Sequence, residues 1–278
     1  MITGTTRIVG IIADPVAHVR TPQVMNAYFA DHGIDAVMVP MHVARDGVSS
    51  VLAAARQLRN LAGLIVTVPH KTTVVDLCDE VCEQARLVGA ANAIRRSADG
   101  QLVCDMFDGQ GFLGGLLANG IDPRGKKVLL LGAGGAASAI AFSLAGRGAS
   151  ALTIANRTQE KARALAGRVA AAFPACRVMN GPPDPTGFDL VVNGTSLGLK
   201  PNDPLPIAPD TLASNTIVAE VVMKPERTAL IDAAASKGCP VHLGRHMLEA
   251  QVRLLAEFLG VAPEGADSGE KQGGSHEK

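Results

Sequence analysis

The stretch that decides the fold is KKVLLLGAGGAASAI, residues 126–140. Its first half is a short apolar run typical of a buried strand, and its second half is rich in alanine and typical of a helix. Gly132, Gly134 and Ala137 stand between the two in the spacing G-x-G-x-x-A. There the first glycine permits a tight turn, the second lets the backbone approach a phosphate, and the small alanine allows close helix–strand packing. We therefore expect a strand–turn–helix unit that binds a dinucleotide at the helix N-terminus.

Strand-like and helix-like segments alternate on both sides of this unit. RIVGII, AVMVPM and GLIVTV precede it, and ALTIAN, FDLVVNGT and TIVAEVV follow it, with Ala- and Leu-rich segments between them. Such alternation is typical of an α/β protein with largely parallel sheets. The two series predict an N-terminal α/β substrate domain at residues 1–107 and a Rossmann-type, parallel-sheet, dinucleotide-binding domain at residues 108–244.

Two further parts of the chain, the segment between the two series and the C-terminal segment, also carry structural signals. Asp99 and Gly100 indicate a hairpin turn, and a connecting helix is expected from Asp108 onward. The last helical pattern, residues 245–262, is expected to pack back on the first domain. Residues 263–278 contain almost no apolar side chains, so this tail is predicted to be disordered.

Composition excludes several classes of function. Of the 278 residues, 47% are hydrophobic and 19% charged, and 26 basic side chains balance 26 acidic ones. The chain can therefore bury a core, and nothing global attracts it to nucleic acid or to an anionic membrane. The N-terminus does not resemble a secretory signal, and no apolar run reaches the ~18 residues of a membrane span. We expect a cytoplasmic protein, monomer or homodimer, with a small-molecule ligand.

The five cysteines show no metal-ligand spacing. Their number is odd and no C-x-x-C pair is repeated, so neither a disulfide framework nor a metal site is indicated. This usage is typical of a reducing compartment.

The end of the second strand of the dinucleotide unit indicates which nucleotide binds. An NAD enzyme usually places an acid there to bond the ribose hydroxyls, but no acid follows ALTIA. Asn156, Arg157 and Thr158 stand there instead, with Lys161 one turn into the next helix. A guanidinium beside a hydroxyl suits a 2′-phosphate, which favours NADP and leaves NAD open. A methyl-donor nucleotide is disfavoured because its ribose would also need an acid.

Six strings in order carry a family resemblance. They are DPVAHVRTP (14–22), GLIVTVPHK (63–71), LVGAANAI (87–94), GAGGAASA (132–139) with ANRT (155–158), NGTSLGL (193–199) and GRHMLEAQ (244–251). Through them the chain resembles the shikimate dehydrogenases from about Ile8 to Gly260. The resemblance implies reversible hydride transfer between NADP and a secondary alcohol of a cyclic hydroxy acid, in shikimate or quinate metabolism.

The resemblance also implies the roles of individual residues. Lys71 matches the family's catalytic lysine and Asp108 its acidic partner. Such a lysine exchanges a proton with the substrate hydroxyl, while the nicotinamide takes or gives the hydride. The implied substrate-binding positions are Val19, Thr21, Thr67, Asn92, Met223 and Gln251. The implied cofactor-binding positions are Gly132, Ala133, Gly134, Gly135, Ala136, Asn156, Arg157, Thr158, Lys161, Asn193, Thr195, Ser196 and Gly244.

The departures from the family pattern are concentrated at the substrate. The family's Ser-x-Ser pair, which holds a carboxylate, is Val19 and Thr21 here, and its G-x-N-T-D string is CDMFD, with Met106 and Phe107. Met223 replaces a tyrosine whose hydroxyl joins the carboxylate site. Loss of one such donor should weaken carboxylate binding by ~1–3 kcal/mol. Altered or broader specificity is therefore expected.

Three alternatives stay open from the sequence. The protein could act on quinate or another hydroxy acid, with NADP or with NAD. It could bind NADP with little turnover, as a sensor, although a retained Lys71 and Asp108 pair argues against a pure binder. It could be a strict shikimate dehydrogenase in which Arg20 or His18 takes over the carboxylate.

Overall fold

In residues 1–262, which the computed structural model describes, the strands form two six-stranded sheets. The predicted disorder of residues 263–278 lies outside the described residues. None of the helices in the described part combines the length and apolar character needed to cross a bilayer.

The N-terminal sheet is mixed. Its strands are β1 (Arg7–Ala13), β2 (Ala36–His42), β3 (Leu61–Val66), β4 (Glu80–Val81), β5 (Ala93–Arg96) and β6 (Leu102–Asp105), in the order β2-β1-β3-β5-β6-β4. Only β5 runs against its neighbours, because it forms the predicted hairpin with β6. Helices α1 (Thr21–Asp31), α2 (Val48–Ala55) and α3 (Glu83–Val88) and two short 3₁₀ turns connect the strands.

The second sheet is entirely parallel. Its strands are β7 (Lys127–Leu131), β8 (Ala151–Ala155), β9 (Arg177–Asn180), β10 (Leu190–Asn193), β11 (Ile217–Glu220) and β12 (Val241–His242). Their spatial order, β12-β11-β10-β7-β8-β9, is the Rossmann order with its switch point between β7 and β10. The remaining α-helices are α4 (Asp108–Ala118), α5 (Gly135–Gly146), α6 (Gln159–Ala172), α7 (Ala229–Ser236) and α8 (Arg245–Phe258). The predicted fold class is confirmed.

The prediction of a final helix over residues 245–262 is wrong at its end. Helix α8 stops at Phe258, and Gly260 takes a φ of 67°, which a continuing right-handed helix does not allow. The helix packs against the N-terminal half, where Val252 and Leu255 join Val9 and Ile11 of β1 in one apolar cluster.

Helix α4 lies between α5 and α8 at very short range. A Cβ on Gly111 would stand 2.1 Å from Cγ of Gln251 in α8, and one on Gly109 would stand 2.2 Å from Oγ of Ser143 in α5. No side chain fits at either position, so these glycines set the distance between the helices. The helix that begins at Asp108 is therefore held firmly against both halves of the molecule.

We predict that Gly111→Ala destabilises the protein by about 1–3 kcal/mol, because the new methyl group overlaps Gln251 and forces α8 away. Gly167→Ala in α6 is the matched control, since nothing lies within 4 Å of its Cβ position. The control should gain about 0.5–1 kcal/mol from its higher helix propensity. Urea denaturation measures both free energies of unfolding, and equal stability of the two variants would contradict the close packing.

Candidate active site

Four polar side chains from distant parts of the chain meet between the two sheets. The ammonium of Lys71 donates to Oδ2 of Asp108. The amide of Asn92 donates to Oδ1 of Asp108 at 2.7 Å and to Oε1 of Gln251 at 3.3 Å. The structure thus brings together the predicted Lys71 and Asp108 pair and both predicted substrate-binding amides.

Backbone pairing explains why these residues meet. Lys71 follows β3, and Asn92 precedes β5, which runs antiparallel to β3. The amide N–H of Ala91 donates to the carbonyl oxygen of Lys71 at 2.8 Å, which ties the two segments together. Oδ1 of Asn92 accepts from the N–H of Phe107 at 2.8 Å, which fixes the chain just before Asp108.

The pair is mostly buried, with 13% of the Lys71 side chain and 4% of the Asp108 side chain exposed. A buried ammonium and carboxylate stay charged at low cost only when each neutralises the other. Lys71 has three N–H donors and Asp108 takes one, so the others can meet a hydroxyl or carbonyl oxygen in the cleft. The arrangement can therefore hold and exchange a proton at the Lys71 nitrogen.

The glycine turn has the geometry that a pyrophosphate needs. Gly132 takes a φ of 110°, and its N–H donates to the carbonyl oxygen of Ala155 at 2.7 Å. The first intrahelical bond of α5 is Ser138 N–H to Gly134 O, so the N–H groups of residues 135–137 precede it. Nothing lies within 4 Å of a Cβ placed on Gly134, which leaves room for a ligand over this turn. These residues fit a dinucleotide.

The dinucleotide turn lies directly against the polar cluster. A Cβ built on Gly135 would lie 3.3 Å from Cβ of Lys71 and 3.4 Å from Cβ of Ala90. The N-terminus of α5 and the lysine therefore share one cleft. Ala133 and Ala136, also predicted at the cofactor, are half-buried on the same turn.

The end of β8 is open and basic, as predicted from the sequence. Arg157, Thr158 and Lys161 are exposed, and within residues 1–262 Arg157 forms no ion pair. The side chain of Asn156 is turned back, donating to the carbonyl oxygen of Thr158 at 2.9 Å. The guanidinium is thus free to meet a phosphate.

The remaining predicted cofactor residues lie around the ends of β10 and β12. Asn193 is buried, and its amide donates within the protein to Glu220 and to the carbonyl oxygen of Leu197. Thr195 donates to Asn193, and Ser196 is exposed. Gly244 is buried against the backbone of residues 221–222. Contact of these residues with a cofactor stays a prediction.

The predicted substrate end is poor in polar groups. Thr21 is buried at the first turn of α1, and its hydroxyl forms no hydrogen bond within the described part of the chain. Val19 is half-buried and packs against the apolar cluster around Phe29. Thr67 and Met223 are half-buried in the loops after β3 and β11.

The two apolar replacements in the CDMFD string, Met106 and Phe107, have different surroundings. Met106 is 2% exposed and lies in the main core cluster. Phe107 is 8% exposed, and its ring packs on that of Phe258 with the centroids 5.2 Å apart.

Sequence reasoning missed the role of Glu220. The structure places this fully buried carboxylate at the end of β11, bonded to Asn193 and Thr228. The available signal was an acid at the end of the apolar strand TIVAE, where a buried carboxylate requires donors.

Two family profiles match the chain. That of the shikimate dehydrogenase substrate binding domain covers residues 11–94, and that of shikimate / quinate 5-dehydrogenase covers residues 117–196. Shikimate dehydrogenase (NADP(+)) of Rhodospirillum rubrum is 40% identical, over 96% of this chain and 97% of its own length. The chain belongs to the shikimate dehydrogenase family. The predicted class, an NAD(P)-dependent dehydrogenase acting on CH–OH groups, is confirmed by this membership.

Solved structures of the family match the whole fold. Shikimate 5-dehydrogenase of Thermus thermophilus, in complex with NADP(H) and shikimate, is 27% identical with a TM-score of 0.83, over 93% of this chain and 95% of its own. The 5-ketofructose reductase of Gluconobacter sp. strain CHM43, in its ligand-free form, is 34% identical with a TM-score of 0.79, over 91% and 92%.

We predict that Arg157→Ala raises the dissociation constant for NADP by about tenfold or more and leaves that for NAD nearly unchanged, because only NADP carries the 2′-phosphate. Titration calorimetry with each nucleotide measures both constants. Arg163→Ala, on the exposed face of α6, is the control and should change neither. Equal weakening of NADP and NAD by Arg157→Ala would show that Arg157 does not contact the phosphate.

Proposed function

We propose that this protein is an NADP-dependent oxidoreductase that transfers a hydride reversibly between NADP and a secondary alcohol of a polyhydroxylated substrate. Its substrate is a cyclic hydroxy acid related to shikimate, and its specificity among such acids is altered. The observation that carries the proposal is the buried Lys71 and Asp108 pair lying against the N-terminus of the dinucleotide turn at Gly135. Proton transfer and nucleotide binding then share one cleft.

The chain's own residues handle the proton. In the direction of oxidation, Lys71 in its neutral amine form accepts the proton of the substrate hydroxyl and becomes the ammonium, and in reduction the ammonium returns this proton to the new alkoxide oxygen. Asp108 orients the Lys71 nitrogen and balances its charge. When bound, the nicotinamide would accept the hydride as NADP⁺ in oxidation and give it back as NADPH in reduction. Asn92 and Gln251, already bonded to Asp108, hold the ring hydroxyls beside Lys71.

The apolar replacements support altered specificity. Val19 and Met223 stand where the family places hydroxyl donors for a carboxylate, and Phe107 adds an aromatic wall. A carboxylate that loses such a donor binds more weakly by about 1–3 kcal/mol. Thr21 keeps one hydroxyl without a partner in the described part of the chain, and the exposed Arg20 next to it in the sequence is a candidate cation for a carboxylate.

A second candidate substrate is a neutral polyhydroxy ketone. The similarity to 5-ketofructose reductase at 34% identity favours it, and so does the shortage of carboxylate donors. The hydroxyls of a neutral sugar need hydrogen-bond partners such as Asn92 and Gln251. Such a sugar carries no carboxylate, so it needs neither a cation nor several hydroxyl donors to bind one.

We place the protein in the cytoplasm, as a monomer or homodimer. All five cysteines are free thiols, which suits a reducing compartment. Sedimentation analysis distinguishes monomer from dimer.

We predict that Lys71→Met lowers kcat by about 10²–10⁴-fold, because it removes the group that exchanges the proton. The dissociation constant for NADP should change little. Lys200→Met, an exposed lysine outside the cluster, is the control and should keep full activity. Steady-state rates of nicotinamide reduction report kcat, and a Lys71→Met enzyme with wild-type turnover would remove the catalytic assignment.

We predict that Val19→Ser raises kcat/KM for shikimate by about tenfold, because it restores a hydroxyl donor, and does not improve a neutral ketose. Val16→Ser, on the same loop, is the control. The panel comprises shikimate and quinate, assayed as hydride donors to NADP and to NAD, and 5-ketofructose, assayed as a hydride acceptor from NADPH and from NADH. Fast oxidation of shikimate by the unchanged protein would contradict altered specificity. No activity on any compound of the panel, with intact NADP binding, would favour a sensor.

A further inference from the structure

A buried carboxylate in the cofactor half of the molecule has no positive partner among the residues that the structure describes. Glu220 ends β11, is 0% exposed, and pairs in register with Asn193 at the end of β10. Within residues 1–262 it forms no ion pair with Lys, Arg or His. An acid in such a place is costly to bury, so its retention calls for a physical explanation.

Hydrogen-bond donors from three segments surround this carboxylate. Oε1 accepts from the N–H groups of Val221 and Val222, both at 2.9 Å. Oε2 accepts from the hydroxyl of Thr228 at 2.9 Å, and the amide of Asn193 donates to both oxygens at 3.0 Å. Burial raises the pKa of the Glu220 carboxyl above its usual range, while these bonds oppose that change.

Asn193 also forms hydrogen bonds with the loop that follows it, and so links Glu220 to that loop. Its amide nitrogen also donates to the carbonyl oxygen of Leu197 at 3.0 Å. Its Oδ1 accepts from the N–H of Thr195 at 3.1 Å and from the Thr195 hydroxyl at 2.6 Å. The N–H of Leu197 in turn donates to that hydroxyl at 3.0 Å. The orientation of one amide, set by Glu220, therefore determines the shape of the loop 193–198.

This loop lies directly on the glycine turn that faces the cofactor. A Cβ on Gly132 would stand 2.9 Å from the carbonyl oxygen of Gly194, and a Cβ on Gly194 would stand 2.9 Å from Cβ of Ala137. The segment after Glu220 is equally close to α8, since Val222 O lies 2.4 Å from a Cβ placed on Gly244. A small displacement of either segment would therefore move the walls of the cofactor site.

We propose that Glu220 is a positioning residue, whose carboxylate fixes the loop 193–198 and the segment 221–223 in the conformation that receives NADP. In this proposal only the identity of the ligand, NADP, rests on the proposed function. The positioning itself is a property of the protein without ligand, because every contact that carries it lies within the chain.

Three variants separate positioning from simple stabilisation. Glu220→Gln replaces one acceptor oxygen with a donor, which opposes the Asn193 amide and favours its rotation away from Thr195. Asn193→Ala cuts the link to the loop and leaves the other donors on Glu220 in place. Thr228→Val is the matched control, because it keeps the methyl group that lies beside Gly198 and removes only the hydroxyl, which donates to Glu220 and caps α7.

The first measurement is amide hydrogen exchange at Thr195 and Leu197 in the ligand-free protein, together with the melting temperature. We expect Glu220→Gln and Asn193→Ala to accelerate this exchange about tenfold or more, and to raise the dissociation constant for NADP to a similar extent. Thr228→Val should lower the melting temperature and leave both exchange and NADP affinity at wild-type values.

Two results would overturn the proposal. One is wild-type exchange and NADP affinity in both Glu220→Gln and Asn193→Ala, and the other is an equal effect of Thr228→Val on the loop. If Glu220→Gln fails to fold, Asn193→Ala decides. If the unchanged protein binds no NADP, the proposed function fails, while the exchange data still decide whether Glu220 positions the loop.

Discussion

The close approach of α4 to α5 on one side and to α8 on the other is the constraint on which the rest of the structure depends. Glycines at 109 and 111 permit it, because any side chain there would overlap the neighbouring helix. Asp108 begins α4, and its carboxylate lies against Lys71, Asn92 and Gln251. Lys71 follows β3 and Gln251 lies on α8, and both side chains donate to the Asp108 carboxylate.

Buried charge is stabilised differently in the two halves of the cleft. In the substrate half an ammonium and a carboxylate neutralise each other, and the pair keeps spare donors for a ligand. In the cofactor half Glu220 accepts hydrogen bonds from N–H and O–H donors, which restrain the loops they belong to. The first arrangement suits proton transfer, and the second suits a fixed binding surface.

The substrate end differs in character from the rest of the cleft. Polar groups are concentrated at Lys71, Asn92, Asp108 and Gln251, where a reacting hydroxyl would lie. Farther out, Val19 and Phe107 join the apolar cluster under α8, and the hydroxyl of Thr21 remains for a ligand. In the proposed function, chemistry and specificity would thus be carried by separate residues, which would let the substrate change while the reaction is kept.

The sequence alone determined the α/β class, the dinucleotide turn at Gly132, the basic end of β8 at Arg157 and the identity of the polar residues. These features are local, since a few neighbouring residues set strand, turn and helix formation. Only the tertiary structure showed that Lys71 reaches Asp108, that Met106 points into the core while Phe107 packs on Phe258, and that Glu220 holds the loop at Asn193. Those contacts join segments far apart in the chain, and their geometry depends on how sheets and helices pack, which residue spacing does not encode.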